Sequence, residues 1–173
     1  MTPGDGRGVR LEPEEMLGCL FRHRVDYVLI GALAATLHGS PVRTNDADIC
    51  PERTSENLKR LALALRELEA KVYTVDEPDG ITFACDAEAL NRAEIWNLIT
   101  QHGRLDISFT PSGTEGYRDL HRDALRMDIG NGITILVASL LDVVRSKEAA
   151  GRAKDRAVLP LLREMLDRFG EHP

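Results

Sequence analysis

Residues 27–49, YVLIGALAATLHGSPVRTNDADI, decide how the rest of the chain is read. The run DYVLI, 26–30, is short and apolar and predicts a buried strand. Gly31 opens the Ala-rich segment 31–39, which stops at Gly39 and Pro41. That pattern predicts a turn and a short helix, with Gly39 as its C-terminal cap. The segment 45–50, NDADIC, then alternates polar and apolar residues until Pro51. Side chains of a strand alternate between faces. Asp46, Asp48 and Cys50 therefore share one face, and Ala47 and Ile49 point toward a core. At about 3.3 Å per strand residue, the two aspartates stand roughly 6.5–7 Å apart at Cα. Carboxylates so placed can converge on one cation, and they repel each other without a cation or protons.

A third acid falls on a later strand. EIWNLIT, 94–100, and RLDISF, 104–109, read as two strands joined at Gln101–Gly103. In the second, Leu105, Ile107 and Phe109 share one face, and Asp106 lies on the other with Arg104 and Ser108. If the two acidic strands are neighbours, three carboxylates meet on one sheet face. Such a hard-oxygen site suits Mg²⁺. A glycine at a strand end also lets backbone approach a ligand, and the helix that follows offers free N–H groups to an anion. A phosphate beside metal-binding carboxylates is an arrangement for phosphoryl or nucleotidyl transfer. Taken singly, each feature also has a plainer reading, as solvated acids on a strand edge or an ordinary strand–helix turn.

Outward from this stretch, helical spacing of Met16, Leu17, Leu20 and Phe21 predicts a helix over 13–23, with Pro13 near its start. The stripe Leu58, Leu61, Ala62, Leu65, Leu68 predicts a helix over 55–70, capped by Thr54 or Ser55. KVYTV, 71–75, reads as a strand, 76–80 as a turn, and 81–93 as a strand and then a short helical turn. Residues 114–123 read as a helix, and 125–129 and 133–137 as a hairpin around Gly130–Asn131–Gly132. Helices follow over 138–149 and 153–168, the second kinked or restarted at Pro160. The sum is an α+β domain over 11–170, with a mixed sheet, helices packed on it and a helical C-terminus. Residues 1–10, Gly-rich and polar, read as a flexible arm.

Composition narrows the function classes. The 173 residues suffice for one domain. With 22 basic and 28 acidic residues the net charge is −6, which disfavours sequence-blind binding of nucleic acid in bulk. No apolar run is long enough for a transmembrane helix, and the N-terminus lacks a signal-peptide pattern. Cys19, Cys50 and Cys85 are widely spaced, without CxxC. They read as reduced packing residues of a cytoplasmic protein and argue against a zinc site.

The order Gly31, Asp46-x-Asp48, Asp106 resembles the signature of the DNA polymerase beta-like nucleotidyltransferase superfamily. A further likeness is to small bacterial nucleotidyltransferase-fold proteins related to abortive-infection toxin–antitoxin systems. It rests on His38–Ser40, on Thr44–Asp48 and on RSKEAAGRAKDRA, 145–157, and spans about 27–157. The resemblance implies a nucleotidyltransferase core, two Mg²⁺ ions held by Asp46, Asp48 and Asp106, and an NTP. Asp106 would also help deprotonate the attacking hydroxyl. Gly31, Ser40, Arg43 and Thr44 would face the nucleotide, and Lys147, Arg152 and Lys154 would offset its charge. The activity implied is transfer of NMP to a hydroxyl of RNA, protein or a small molecule, with a cognate antitoxin-like protein as possible partner.

The family usually carries a second Gly or Ser after the first glycine, where this chain has Ala32. Ala32 and the short chain favour an alternative, a catalytically inactive binding or regulatory subunit of a toxin–antitoxin-like pair. Phosphate-ester hydrolysis is a third reading of the same acids. Lys147 also reads as a lysine at the rim of the core, Asp155 as a helix cap and Arg43 as an exposed loop arginine.

Overall fold

The computed structural model describes residues 8–170, so most of the predicted arm lies outside the described residues. The chain runs α1 (Pro13–Arg22), β1 (Tyr27–Ile30), α2 (Gly31–Leu37), β2 (Asp46–Pro51), α3 (Ser55–Glu67), β3 (Lys71–Val72) and α4 (Ala87–Leu90). It continues β4 (Ile95–Thr100), β5 (Gly103–Ser108), α5 (Tyr117–Asp123), β6 (Leu125–Asp128), β7 (Thr134–Val137), α6 (Leu140–Ala150) and α7 (Ala153–Phe169). The strands form one seven-stranded sheet in the order β3-β4-β5-β2-β1-β7-β6. It is mixed: β2 runs parallel to β5 and β1 to β7, and the other pairs are antiparallel. This is an α+β fold ending in two helices, as the sequence indicates.

Alternation along the central strands sorts their faces. Ala47, Ile49, Leu105 and Ile107 are fully buried, whereas Asp46, Asp48, Arg104 and Asp106 are half-buried on the other face. Trp96 lies on the opposite face of β4 from Asn97 and donates its indole N–H to the Leu90 carbonyl of α4. That places α4, with α3 and α1 against it, on the face away from the acids. On the acidic side, α2 packs on β2 and on α6, and α6 packs on α7. Helix α3 buries the predicted stripe, and the Thr54 hydroxyl caps it by accepting from the Asn57 N–H.

Three expectations change. The strand expected within 81–93 shrinks to an isolated bridge at Ile81, ahead of the short helix α4. Regular pairing of β3 stops at Val72 rather than running to Val75, because Ile81 folds back to exchange two hydrogen bonds with Val72. Tyr73 still donates its N–H to Asn97, but Thr74 then accepts from the Glu77 N–H and turns the chain. At the other end, α7 does not restart at Pro160 but runs through it as one helix. Pro160 and Arg156 are both exposed, so water can meet the Arg156 carbonyl that loses its donor. Buried Leu159, Leu162 and Leu166 anchor the helix on both sides. No described helix is long and apolar enough to cross a membrane.

Candidate active site

The sheet register brings the acids together. Asp48 on β2 is the direct partner of Asp106 on β5, and Asp46 is the partner of Arg104. Partners on neighbouring strands share a face, so Asp46, Asp48 and Asp106 look into the same cleft. That cleft has a volume of about 780 Å³. Its wall also includes Gly31, Ser40, Arg43 and Thr44 from the α2–β2 region and Lys147, Arg152 and Lys154 from α6 and α7. Every candidate metal- and nucleotide-binding residue thus borders one cavity. The three carboxylates are not drawn fully together: one trio among the described residues brings a ligand atom each within 4.8 Å, and it is a different one.

The charge state of the acids follows from their burial. Burial pushes the Asp48 carboxyl up to about 7, helped by the charges of Asp46 and Asp106 and opposed by Lys154 and Lys147. Asp106 is pushed up to about 6, again chiefly by burial, while Arg104 pulls it down. One oxygen of Asp106, Oδ2, faces the Arg104 guanidinium at 3.5 Å, and the other, Oδ1, is buried with no hydrogen-bond partner. Asp46 is steadied by the Thr44 hydroxyl, which donates to Asp46 Oδ1 at 2.9 Å. An all-oxygen donor set with a buried, unpartnered carboxylate oxygen and two carboxyls strained by burial fits a small hard cation such as Mg²⁺.

Gly31 has a steric reason at this site. Its φ is +70°, and a Cβ built there would lie 2.5 Å from Asp48 Oδ2. The glycine therefore leaves space for the carboxylate itself. Gly31→Ala is expected to cost roughly 2 kcal/mol, from left-handed backbone strain and displacement of Asp48. Urea denaturation measures it. In an Asp48→Ala background the cost should shrink to the backbone part, and an unchanged cost there would separate Gly31 from Asp48.

On the far wall, Asp155 organises the cations. It is fully buried at the first turn of α7 and accepts the Arg152 backbone N–H at 3.2 Å and its Nε–H at 2.7 Å. Lys147 Nζ lies 3.4 Å from its other oxygen. Lys147 and Arg152 thus reach the cleft already tied to one carboxylate. The helix-cap reading of Asp155 holds, and the same side chain also pairs both cations.

The sequence reading passed over two positions. Arg104 stacks on the Tyr73 ring, 4.1 Å from its centroid, and touches Asp106. Asn97 is the direct partner of Asp106 on β4 and lines the cleft. Counting back from the Thr100–Gly103 closing pair of the β4–β5 hairpin would have found Asn97. Nothing in the local sequence signals Tyr73 against Arg104, since it depends on where the chain leaves β3.

No family model matches the chain, and no curated protein does either. Solved structures do match. One is a crystal structure from Thermotoga maritima of a protein described as a "putative nucleotidyltransferase". The match has a TM-score of 0.54 at 20% sequence identity and covers 94% of this chain and 99% of that one. The two chains share their fold over nearly their whole lengths.

Proposed function

We propose that the protein is a Mg²⁺-dependent nucleotidyltransferase that moves NMP from an NTP onto a hydroxyl acceptor. The observation that carries this is the Asp48–Asp106 register, which sets two half-buried, electrostatically strained carboxylates beside Asp46 in the wall of one cleft. In this reading Asp46, Asp48 and Asp106 hold Mg²⁺, which supplies charge neutralisation at the attacking and leaving oxygens of an in-line displacement. Asp106 would also help accept the hydroxyl proton. Gly31, Ser40, Arg43 and Thr44 face the nucleotide. Lys147, Arg152 and Lys154 lie across the cleft and offset phosphate charge. Residues 11–170 act as one domain, at work in the cytoplasm, and RNA, a protein or a small molecule serves as acceptor.

The test is incubation with labelled NTPs, Mg²⁺ and cell extract. A labelled acceptor together with released pyrophosphate is expected, whereas free NMP alone would indicate hydrolysis. Asp46→Asn and Asp106→Asn should each lower labelling on the order of 1,000-fold, the loss of several kcal/mol of transition-state stabilisation. Equal labelling by wild type and both variants would sink the reading. Ala32 lines the cleft at the position where the superfamily the sequence resembles usually has a second Gly or Ser, and it favours a second reading, a non-catalytic subunit of a toxin–antitoxin-like pair. A protein that binds NTP and a partner chain but labels nothing would establish that one.

A further inference from the structure

A second cluster of ligand-type side chains lies outside the acidic cleft. Cys19 and His23 are four residues apart, so they fall on one face at the end of α1. Glu67 is the last residue of α3. The Cys19 sulfur, a His23 ring nitrogen and a Glu67 carboxylate oxygen all lie within 4.8 Å of one another. We propose that Cys19, His23 and Glu67 form a site for one borderline-soft divalent cation of the zinc class, fastening the end of α1 to the end of α3.

The donor chemistry selects the ion. Sulfur, imidazole nitrogen and one carboxylate oxygen suit Zn²⁺ in a tetrahedron whose fourth position is solvent, while Mg²⁺ takes oxygen ligands. A thiolate and a carboxylate balance the two positive charges. Arg22 sits on the other Glu67 oxygen, Oε1, at 2.5 Å and orients the carboxylate from outside the ligand set. An approach from water exists, since the His23 and Glu67 side chains are 24% and 46% exposed.

The ion would replace bonds that are easy to give up. His23 Nε2 and Glu67 Oε2 now meet directly at 2.5 Å and would open to about 3.4 Å around zinc, a small rotation for surface side chains. The Cys19 thiol donates to the Ala64 carbonyl in a long bond of 3.6 Å. Burial, then the Glu67 charge, pushes that thiol up to about 11, so it is no free nucleophile; metal takes the place of its proton. None of the three residues lines the acidic cleft, so the site stands apart from the transfer reaction.

Cobalt titration of EDTA-treated, dialysed protein tests this, because only a thiolate ligand gives the near-ultraviolet sulfur-to-cobalt charge-transfer band. One equivalent of Co²⁺ should produce the band, Zn²⁺ should bleach it, and Asp48→Asn should leave it intact. Cys19→Ser should lose it. Since Cys19 is buried, that variant can misfold, and the half-exposed pair then decides: His23→Gln and Glu67→Gln should each weaken Zn²⁺ binding roughly 100-fold or more. Absence of the band, its survival in Cys19→Ser, or unchanged Zn²⁺ affinity in His23→Gln overturns the proposal.

Discussion

Asp48→Asn is expected to stabilise the metal-free protein at pH 7.5 while abolishing nucleotidyl transfer. Asp48 is raised to about 7 and Asp106 to about 6, chiefly by burial, against about 3.9 in an unfolded chain. Between those values the folded state binds protons that the unfolded state has released. Stability from these groups is therefore full below pH 4 and falls as pH rises through 6 and 7. At about 1.4 kcal/mol per unit, Asp48 alone costs on the order of 2–4 kcal/mol at neutral pH. An amide at that position has no charge to bury. In EDTA the melting temperature of Asp48→Asn should exceed wild type by about 5–10 °C at pH 7.5, with little gap at pH 4.5. Adding Mg²⁺ should narrow the gap at pH 7.5 by stabilising wild type alone. A variant that melts below wild type at both pH values would show that Asp48 is not electrostatically strained. The expected gap, in contrast, would make the site one of the places where a protein keeps a destabilising group for its chemistry.

Asp155→Ala should have the largest effect on folding itself. Its carboxylate is fully buried, closes the first turn of α7 and holds Lys147 and Arg152. Removing it leaves Lys147, only 16% exposed, facing the core rim without its partner. Breaking a buried ion pair costs about 3–5 kcal/mol, and the exposure of Arg152 puts this one near 3 kcal/mol. A melting-temperature loss of about 6–12 °C follows. Burial works against the Asp155 charge, but the hydrogen bonds and charge of Arg152 and then Lys147 outweigh it and hold its carboxyl below the usual range. Its stabilisation is therefore present above the unfolded carboxyl value and lost as pH falls through the folded one. The gap between wild type and Asp155→Ala should close in acid, as for Asp48→Asn, but with the opposite sign at neutral pH: here wild type is the more stable protein. Asp155→Asn can still accept the Arg152 N–H, so it should fall between the two. A difference that does not change with pH would assign Asp155 a packing role only.

The sequence made the faces of the elements legible, and left their partners obscure. Alternation placed Asp46 and Asp48 on one side of β2 and Asp106 on the polar side of β5. It could not show that these strands are adjacent and parallel, since α3, β3, α4 and β4 lie between them in the chain. The cations of 145–157 were visible as residues. Their joint tether to Asp155 was not, because Lys147 reaches it from α6 across the turn at Gly151. The Cys19–His23–Glu67 trio was hidden for a like reason. Its three donors are of different kinds, and the third arrives from a separate helix after 44 residues. Counting cysteines weighs such a mixed set against metal binding.

Gly31 and Asp48 also carry a meaning for descent. A side chain at 31 would occupy the position of the Asp48 carboxylate, so the two residues are bound into one unit of variation. Position 31 keeps its left-handed backbone whatever stands at 48, so losing the acid relieves the clash and leaves the strain. A chain of this fold that fills position 31 is therefore expected to lack the carboxylate at 48, whereas one that keeps glycine there need not retain it.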